Sequence, residues 1–447
     1  MRAVVVGGGI GGLSCAIGLM DCGFDVSLFD KNNKLGGVAR TLHNTDYICD
    51  TGLHYFFEHY TECMSLLKKC NADKEIFWIE DRMLFMRADS KKGMYSHLPL
   101  PGALRGASAI ARFNLLNFSD RLKLLGLFAK MAFLKDEQLS EMDNKTLEEW
   151  VLENGGNAEI ISNYFDPISR SLTFMGASEI SAQTIIVWFN GIRKQNKIRF
   201  GIAVSGLSES VIEPLKNYLL SRGCKIYTGC EIKSITINDG KVHGVNFKDS
   251  FEQRFIDADV VVLAVSPAQV NKILRNSPTA GKQSLIQMDE GTPVIVVNLL
   301  LSSNLTDEKI VMFGVNTCFN IFMEITNVSR NYSENHSLVT LIMNSTEDQL
   351  HMSEGEIQSI VLNDLESSLG YSIREKIADC EIFRLNDVVT KQVPGHSRSR
   401  VDNKTDIEGL YLSGDYTAGI QPSGMNASVH SANTCVLKIK NDFRVVA

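Results

Sequence analysis

The chain has 447 residues, which is long enough for two domains that share one large interface. Its hydrophobic content of 44% and its charged content of 22% are ordinary for a soluble globular protein. The formal net charge of −7 argues against nucleic acid as the main partner, because no overall basic field is present to bind phosphates.

The cysteines and the first residues of the chain bear on metal sites and on targeting segments. The ten cysteines are scattered and form no C-x-x-C pair, which disfavours a zinc site, an iron–sulfur site and a redox dithiol. Strand-forming residues begin at Arg2, which leaves no room for a signal or transit peptide. No stretch reaches about 18 uninterrupted apolar residues, so the sequence predicts no membrane span. We therefore expect a reduced, cytoplasmic protein without a metal centre.

A glycine-rich turn follows directly on the first apolar run. The pattern G-x-G-x-x-G is filled by Gly7, Gly9 and Gly12, ahead of an apolar stretch at helical spacing. In a strand–turn–helix unit these glycines allow the tight turn, the approach of a pyrophosphate and the packing of helix on strand. A second predicted strand ends at Asp30, where a carboxylate can accept hydrogen bonds from a ribose. The alternative is a βαβ turn without a ligand. The candidate dinucleotide contacts are Gly7, Gly9, Ile10, Gly11, Gly12, Asp30 and Lys31.

Two further stretches, one directly after Asp30 and one near the C-terminus, favour a ligand longer than a single phosphate and ribose. In Leu35–Thr41, paired glycines precede Arg40, which suits a loop that brings backbone and a guanidinium to a second phosphate or ribose. Near the C-terminus a predicted strand delivers Gly414 and Asp415, and a helix is predicted from about Met425 to Lys440. A helix N-terminus beside this loop again describes a site for an electron-rich group. The candidate contacts are Gly36, Gly37, Arg40, Ala264, Gly414, Asp415, Met425 and Asn426.

Between about residue 98 and residue 201 the sequence becomes helical, and Thr146 with Glu149 predicts a capping box. The stretch 101–135 carries six Lys or Arg and a single acid, interleaved with large apolar residues. One hypothesis is a monotopic patch that inserts apolar side chains into one leaflet while its cations meet anionic headgroups. The alternative is a cap packed on the rest of the protein, because the apolar positions do not form one clean stripe.

The remaining elements predict strands and one more helix. Asp239-Gly240 is a hairpin turn signal, and Ser353 with Glu356 predicts the start of a helix that ends near Gly370. Strands are predicted at apolar or alternating runs, over 225–228, 232–238, 242–247, 257–265, 294–301, 319–325 and 337–343.

The stretches 4–41, 225–265 and 409–430 point at one extended ligand. Together they resemble the flavoprotein superfamily of flavin amine oxidases, protoporphyrinogen oxidases and phytoene desaturases, over nearly the whole chain. The resemblance implies FAD as the cofactor, with the three motif glycines at its pyrophosphate and Asp30 at the adenosine ribose. It also implies further contacts: Gly36, Gly37 and Arg40 along the diphosphate and ribityl region, the backbone of Ile232 at the adenine, Asp415 at the ribityl or phosphate portion, and Met425 and Asn426 at the flavin's pyrimidine edge.

Two positions depart from the superfamily pattern. Asp30 stands where Glu is more usual, so the ribose contact must come from a shorter side chain. Asn426-Ala427 replaces the Glu-Gly that many relatives carry after the methionine. A helix N-terminus can still stabilise negative charge on the flavin, because that contact is made by backbone groups. A carboxylate role at position 426 is lost.

The resemblance implies an architecture of two domains. We expect a discontinuous, Rossmann-type FAD-binding domain of the glutathione reductase kind, built from residues 1–95, 202–275 and 405–447. An α+β substrate domain would then use residues 96–201 and 276–404. The active site is expected where the two domains meet.

Within the superfamily, Gly206-Leu207-Ser208 and the stretch 165–171 resemble phytoene desaturases and hydroxysqualene dehydroxylases. This implies an FAD-dependent desaturase, dehydrogenase or oxidase that takes a hydride from a hydrophobic, isoprenoid-like substrate. Oxygen or a quinone is the expected electron acceptor, because no second G-x-G-x-x-G unit supports an NADPH site. The alternatives are an amine or porphyrinogen oxidase, an isomerase or dehydroxylase without net oxidation, and a non-enzymatic binder like the Rab GDP-dissociation inhibitors. The cytoplasmic enzyme would contact the cytoplasmic membrane peripherally if the 101–135 patch inserts.

His54 is the candidate catalytic residue, because it follows the Asp50-x-Gly52 turn of the predicted cofactor domain. The alternative is a histidine that is hydrogen-bonded to a loop carbonyl. Lys391 could reach the flavin from the second sheet, or it could be a solvated lysine at a strand end. Arg170 could meet an acidic substrate or a quinone, or it could form an ordinary salt bridge.

Overall fold

The computed structural model describes residues 1–80, 82–98, 100, 103–195, 199–249, 252–277, 291–419 and 422–444. Within these ranges the chain forms a parallel sheet, a large mixed sheet, three small sheets and a helical layer. The α/β fold class predicted from the sequence is confirmed. No helix in the described ranges is both long and apolar enough to cross a bilayer.

The parallel sheet holds the first strand and the glycine turn. Its five described strands, in spatial order, are Lys225–Tyr227, Asp25–Phe29, Arg2–Val6, Val260–Leu263 and Leu410–Leu412. Each strand pairs in parallel with its neighbour. The central strand is buried after its first residue because both faces of the sheet are covered, which explains its continuous apolar run.

Helices cover one face of the parallel sheet, and a small antiparallel sheet covers the other. On the first face pack Ile10–Asp21, Glu213–Ser221 and Met425–Asp442. On the second face pack helix Pro267–Arg275 and the three strands Glu231–Asn238, Lys241–Lys248 and Gln253–Asp257. The first two of these strands are joined by the predicted hairpin turn, with a φ of 51° at Asp239 and 74° at Gly240.

The large mixed sheet has seven described strands. In spatial order they are Ile377–Thr390, Gly291–Leu301, Ser337–Asn344, Phe319–Glu324, Val311–Val315, Arg82–Arg87 and Lys92–Ser96. Side chains alternate between its two faces: Leu299 packs on the side of helix Glu354–Leu369, whereas Val296 packs on the side of the helical layer. The predicted second sheet is therefore present, and so is the capping box of Ser353 with Glu356.

The predicted domain boundary at residue 95 follows two strands of the large mixed sheet. Arg82–Arg87 pairs in parallel with Val311–Val315, and Lys92–Ser96 pairs with Arg82–Arg87. Both strands thus belong to the mixed sheet, so the chain leaves the parallel-sheet side before Arg82. The local pattern identified strands but not their partner, because the pairing joins segments that are far apart in the sequence. The division of the chain into two domains stays a proposal.

The helical layer lies against the mixed sheet. Thr146 and Glu149 form the predicted capping box, and Gly155, with a φ of 92°, follows the end of that helix. The helices are Ala103–Arg112, Phe118–Phe133, Asp136–Glu141, Leu147–Glu153, Ala158–Ile160, Asp166–Thr173 and Ala182–Gln195, with a 3-10 turn at Met142–Asn144 and a π-helical turn at Ile161–Phe165. Residues 101 and 102 of the predicted basic and apolar stretch lie outside the described residues.

Short elements connect these layers. The strands are Thr41–His43 with Ile48–Asp50, and Phe56–Phe57 with Ile76–Glu80 and Arg199–Ala203. The helices are Thr61–Lys69, Glu347–Leu350 and His396–Ser399, with short turns of helix at Asp73–Glu75, Ser208–Ile212, Ile325–Asn327 and Arg374–Lys376.

Candidate functional site

The three motif glycines have different surroundings, and each matches a separate duty. Gly7 has a φ of 107°, and a Cβ on it would lie 2.3 Å from the carbonyl oxygen of Ala264. A Cβ on Gly12 would lie 1.8 Å from the oxygen of Gly7, so this position sets the approach of helix to strand. A Cβ on Gly9 would meet nothing closer than the Cα of Gly37, at 3.9 Å. Gly9 therefore leaves open space beside bare backbone.

The helix that starts at Ile10 presents its N-terminus at this open space. Gly9 is its N-cap residue and contributes no side chain, so the first N–H groups of the helix have no side-chain cap. Gly11 faces the C-terminal helix, because a Cβ on it would lie 3.6 Å from the Cβ of Ser428. The unpaired N–H groups and the helix dipole suit a phosphate.

The double-glycine loop lies directly on the glycine turn. The N–H of Gly36 donates to the oxygen of Gly8 at 2.8 Å, and a Cβ on Gly37 would lie 3.2 Å from the Cα of Gly9. Arg40 follows in the same loop, and its Nε is buried without a hydrogen-bond partner among the described residues. A buried guanidinium nitrogen that lacks an acceptor fits an anionic ligand.

Asp30 lies where the sequence predicts it, but its carboxylate faces the glycine turn. Oδ2 accepts a hydrogen bond from the N–H of Gly8 at 2.7 Å, and Oδ1 accepts one from the N–H of Asn32 at 2.7 Å. The side chain is only 6% exposed, whereas neighbouring Lys31 is exposed. The shorter Asp side chain thus braces the turn, and its contact with a ribose stays a prediction.

At the C-terminal end, Asp415 joins three segments. Its carboxylate accepts hydrogen bonds from Oγ1 of Thr390 at 3.2 Å and from the N–H of Gly424 at 3.2 Å. Burial raises the pKa of Asp415, and the positive charge of Arg400 opposes that effect only partly. Gly414 donates its N–H to Oγ of Ser431 at 2.9 Å.

The C-terminal helix begins at Met425, directly after this loop. Oδ1 of Asn426 accepts a weak hydrogen bond from the N–H of Cys63 at 3.5 Å, so its amide serves the packing of this helix on Thr61–Lys69. Ile232 is 5% exposed and pairs with Phe247 in the small antiparallel sheet, just before a register shift of that strand. Contacts of Ile232 and Asn426 with a cofactor stay predictions.

The parallel sheet gathers most of these residues at one edge. Strands Arg2–Val6, Asp25–Phe29, Val260–Leu263 and Leu410–Leu412 run in the same direction, and each ends at a candidate residue or just before one. Those residues are Gly7, Asp30, Ala264 and Gly414. Ligands of open α/β sheets bind at the carboxyl ends of the strands, and the four candidate residues lie at that edge of this sheet.

Comparison with known proteins identifies the family. Residues 10–438 match the family described as flavin containing amine oxidoreductase. This chain belongs to that family. The 15-cis-phytoene desaturase of Synechococcus elongatus is 25% identical over 96% of this chain and 94% of its own length. The chloroplastic/chromoplastic 15-cis-phytoene desaturase of Solanum lycopersicum is 25% identical over 100% of this chain and 79% of its own length.

A solved structure supports the fold. An oxidoreductase from Methanosarcina mazei, 18% identical, covers 99% of this chain with a TM-score of 0.76, and the match covers 100% of that chain. This flavin-containing amine oxidoreductase is therefore an enzyme, an FAD-dependent oxidoreductase. The open space at Gly9 and the unpartnered Nε of Arg40 fit the phosphates of FAD. When bound, FAD accepts the hydride, while the chain binds, orients and shields the cofactor.

His54 lies in a small cavity beside the chain segment that follows the double-glycine loop. The cavity, of about 10 Å³, is lined by His54, Tyr55, Leu207 and Tyr332 among others. Nδ1 of His54 lies 3.1 Å from the carbonyl oxygen of Gly52, so the neutral ring carries its proton on Nδ1 and its lone pair on Nε2. Burial lowers the pKa of His54, although Asp50 and the Gly52 carbonyl oppose that effect. The predicted carbonyl contact is present, and a catalytic role stays a prediction.

The structure also reveals residues that the sequence did not single out for function. Asp50 is 6% exposed and borders the same cavity as His54. Its carboxylate contacts Thr41 on the neighbouring strand, and Leu207 and Tyr332 from two distant parts of the chain. The Asp50-x-Gly52 turn was visible in the sequence, but nothing local pointed to Tyr332.

Other candidates are now placed as well. Arg170 forms the ordinary salt bridge, with Nε 2.7 Å from Asp166. Lys391 is half-buried and directly follows Thr390, the residue that donates to Asp415. Tyr411 and Tyr416 are each 2% exposed, and their hydroxyls contact Asp442 and the backbone oxygen of Leu263.

Proposed function

We propose that this enzyme oxidises a hydrophobic, isoprenoid-like substrate by hydride transfer to FAD, and that it takes the substrate from a membrane surface. The observation that carries the proposal is an exposed apolar stripe on helix Phe118–Phe133. The relatives named as 15-cis-phytoene desaturases over the full length of this chain support the same substrate class.

The stripe consists of the apolar side chains on the outer, exposed face of this helix. The inner face of the helix, with Leu124, Leu127 and Met131, packs into the core. On the outer face, Phe118 is 74% exposed, Leu122 53% and Phe133 84%. Residues 118, 122, 126, 129 and 133 follow a spacing of three or four and share one side of the helix. Burying such large side chains in lipid would stabilise bound protein by roughly 1.5–3 kcal/mol each.

The basic residues of the stretch divide into two groups. Arg121 serves the fold, because its guanidinium donates to the backbone oxygens of Leu116 and Ala111. Lys123 pairs with Asp120 at 3.3 Å and Lys130 donates to the backbone oxygen of Asn154 at 2.9 Å. Both side chains are exposed beside the apolar stripe, so their ammonium groups can exchange these weak surface contacts for anionic headgroups. The two hypotheses drawn from the sequence therefore describe different faces of the same helix: the inner face is a packed cap, and the outer face is the proposed lipid contact.

The buried apolar residues beneath the stripe extend towards His54. The apolar cluster that contains Leu124 and Met131 also contains Trp188, Phe200 and Phe57, and Tyr55 beside His54 packs against it. An apolar substrate suits this surrounding, because it asks for no charged partner. In the proposed reaction, Nε2 of His54 is the group that can accept a proton near the flavin.

The lipid contact is tested by co-sedimentation with vesicles that contain anionic phospholipid. Replacing Phe118, Leu122 and Phe133 together by Ser should reduce binding at least about tenfold, which corresponds to ~1.4 kcal/mol. Leu437→Ser is the matched control, because Leu437 is an equally exposed apolar residue, 57%, on the C-terminal helix. Unchanged binding of the triple variant would refute the lipid contact.

The substrate class is tested with the FAD-loaded enzyme under anaerobic conditions. An isoprenoid polyene precursor supplied in vesicles should bleach the flavin absorbance near roughly 450 nm, whereas putrescine and a porphyrinogen should not. Bleaching by the amine or the porphyrinogen alone would refute the isoprenoid assignment. Mixing the reduced enzyme with oxygen or with a quinone then shows which acceptor restores the absorbance; we propose one of these two.

The assignment of the FAD site has its own test, because two motif glycines differ in their surroundings. Gly9→Ala fits the protein itself and should fold, yet it should lose FAD, since the added methyl group projects into the open space. Gly12→Ala should impair folding with or without FAD, because its Cβ would lie 1.8 Å from the oxygen of Gly7. Retention of FAD by Gly9→Ala would place the cofactor elsewhere.

A further inference from the structure

Asp50 is a buried acid without a cation to pair with. The side chain is 6% exposed, and within the described part of the chain no Lys or Arg pairs with it. A buried carboxylate that lacks a positive partner is costly in its charged form. Its protonation state therefore depends on the hydrogen bonds that surround it.

One oxygen of Asp50 is occupied by two donors. Oδ1 accepts hydrogen bonds from Oγ1 of Thr41 at 2.6 Å and from the N–H of Leu207 at 2.9 Å. The hydroxyl of Thr41 in turn accepts from the N–H of Ser208 at 2.9 Å, so its single proton is free to point at Asp50. Oδ1 is thus fully used as an acceptor.

The other oxygen faces a hydroxyl that has three neighbours, one of which is the backbone N–H of Gly206. Oη of Tyr332 lies 3.0 Å from Oδ2 of Asp50 and 3.0 Å from the backbone oxygen of Ala203. A carbonyl oxygen can only accept, and a tyrosine hydroxyl has one proton to give. If Tyr332 donates to an ionised Oδ2, the oxygen of Ala203 loses this donor; if Tyr332 donates to Ala203, an ionised Oδ2 faces a hydroxyl oxygen without a proton between them. A proton on Oδ2 completes the chain from Asp50 through Tyr332 to Ala203.

We propose that Asp50 is held as a neutral carboxylic acid that donates to Tyr332 and thereby keeps His54 uncharged, with Nε2 free to accept a proton. Asp50 is a positioning residue, because it acts on the site only through His54. The consequence for catalysis rests on the proposed role of His54, whereas the protonation of Asp50 does not.

The charges around Asp50 agree with a neutral acid. His54, Cys49 and Tyr332 are its titratable neighbours, with Glu209 near Tyr332 and with Asp379 and Glu381 near Cys49. These surroundings are acidic, and Glu209 is already paired with His43 at 2.8 Å. Burial raises the pKa of Asp50 and lowers the pKa of His54, so both groups tend towards their neutral forms.

The opposite arrangement would be an ion pair of ionised Asp50 and protonated His54. That pair would leave the imidazole with no lone pair, because Nδ1 faces the carbonyl of Gly52 and Nε2 would carry the second proton. The two arrangements therefore differ in whether His54 can act as a proton acceptor at neutral pH.

The first experiment compares the titration of His54 in the FAD-loaded wild type and in Asp50→Asn, by NMR of the enzyme with ¹³C-labelled histidine. The His54 signal is assigned with His54→Gln. Asn mimics the neutral acid, so the titration of His54 should stay within about 0.3 units of the wild type. A downward shift of about one unit or more would show that Asn removed a negative charge, and it would overturn the proposal.

Asp143→Asn is the matched control. Asp143 is likewise buried, but Nδ1 of His396 lies 2.8 Å from its Oδ1. Replacing this acid should move the ¹³C resonances of His396 at a fixed pH, which shows that the measurement detects the loss of a carboxylate beside a histidine.

A second measurement needs no change at position 50. Infrared spectra of the enzyme labelled with ¹³C at the aspartate carboxyl carbon should contain a protonated-carboxyl band at neutral pH, and Tyr332→Phe should shift that band because the proton loses its acceptor. The proposal is overturned if the band is absent, or if its frequency is the same in the wild type and in Tyr332→Phe. Neither measurement uses a substrate, so both stay informative if the isoprenoid assignment fails.

Discussion

Two buried acids of this protein, Asp50 and Asp143, differ in what they contact. Asp143 is 1% exposed and lies 2.8 Å from Nδ1 of His396. It also accepts hydrogen bonds from Oγ of Ser181 at 2.8 Å and from the N–H of Ser397 at 3.0 Å. Burial alone would raise the pKa of Asp143, but His396, Ser181 and Ser397 outweigh burial and lower it.

At Asp50 the balance has the opposite sign, and burial raises the pKa. Both acids are shielded from solvent, but Asp50 lies deeper in the protein, so burial outweighs its three hydrogen bonds, whereas at Asp143 the partners outweigh burial. Their places in the fold differ accordingly. Asp143 ties the helical layer to the loop at Gly395, whose N–H donates to its backbone oxygen, whereas Asp50 borders the cavity of His54. One acid holds segments together, and the other is placed to set the state of a candidate catalytic group.

The largest effect is expected from His396→Ala. Removing the imidazole takes a contact from buried Asp143 and leaves a cavity where His396, 6% exposed, was packed; together these losses cost about 3–5 kcal/mol. The free energy of unfolding of the FAD-loaded enzyme in urea should fall by that amount. A loss below about 1 kcal/mol would mean that the contact between Asp143 and His396 does not stabilise the fold.

The pH dependence of stability should have opposite signs for Asp50→Asn and Asp143→Asn. Asp50 has a raised pKa, so wild-type stability falls as the pH rises above the unfolded value of about 3.9, by ~1.4 kcal/mol per unit up to the folded pKa. The Asn side chain does not ionise, so the free energy of unfolding of Asp50→Asn should increase relative to that of the wild type over this pH range. The gain should vanish near pH 4, as measured by urea unfolding at a series of pH values.

Asp143→Asn should behave in the reverse manner. The folded pKa of Asp143 is lowered, so the wild type holds an advantage over Asn above pH ~3.9 and loses it as the pH falls through the folded pKa. If the stability difference from the wild type changes in the same direction with pH for both variants, the two acids do not have opposite pKa shifts.

A smaller effect is expected from Tyr332→Phe. The variant leaves Oδ2 of Asp50 and the oxygen of Ala203 without their shared hydroxyl, at a cost of about 1–3 kcal/mol in the free energy of unfolding. Urea unfolding at neutral pH measures the change. Tyr411→Phe serves as a control for the loss of a tyrosine hydroxyl, since its partner Asp442 is also bonded by Lys404.

The smallest effect is expected from Ser181→Ala. This variant removes one hydroxyl from Asp143, which keeps His396 and the N–H of Ser397, so the cost should be about 1 kcal/mol. A thermal shift larger than that of Tyr332→Phe would reverse the expected order and would indicate that the Ser181 hydroxyl contributes more to the fold than a single hydrogen bond.

Local patterns carried the predictions that the structure confirms. The turn at Gly7–Gly12, the hairpin at Asp239-Gly240 and the capping boxes at Thr146 and Ser353 each depend on residues a few positions apart. Their conformations follow from glycine backbone freedom and from side chains that bond the nearest free N–H groups. Such features are readable without knowledge of the rest of the chain.

Distant contacts could not be read in this way. No local signal predicted that Arg82–Arg87 pairs with a strand that comes far later in the chain. The apolar stripe at Phe118, Leu122 and Phe133 was hidden because the sequence does not distinguish buried leucines from exposed ones. The contact between Asp50 and Tyr332 left no local trace.

The sequence by itself determined the fold class, the family and the location of the FAD motifs, because these depend on short-range glycine, strand and helix signals. Tertiary structure alone decided which face of helix Phe118–Phe133 is exposed and which groups surround each buried acid. Burial and pairing are properties of the packed chain: the desolvation of Asp50 and the contact of Asp143 with His396 arise only when segments from different layers meet.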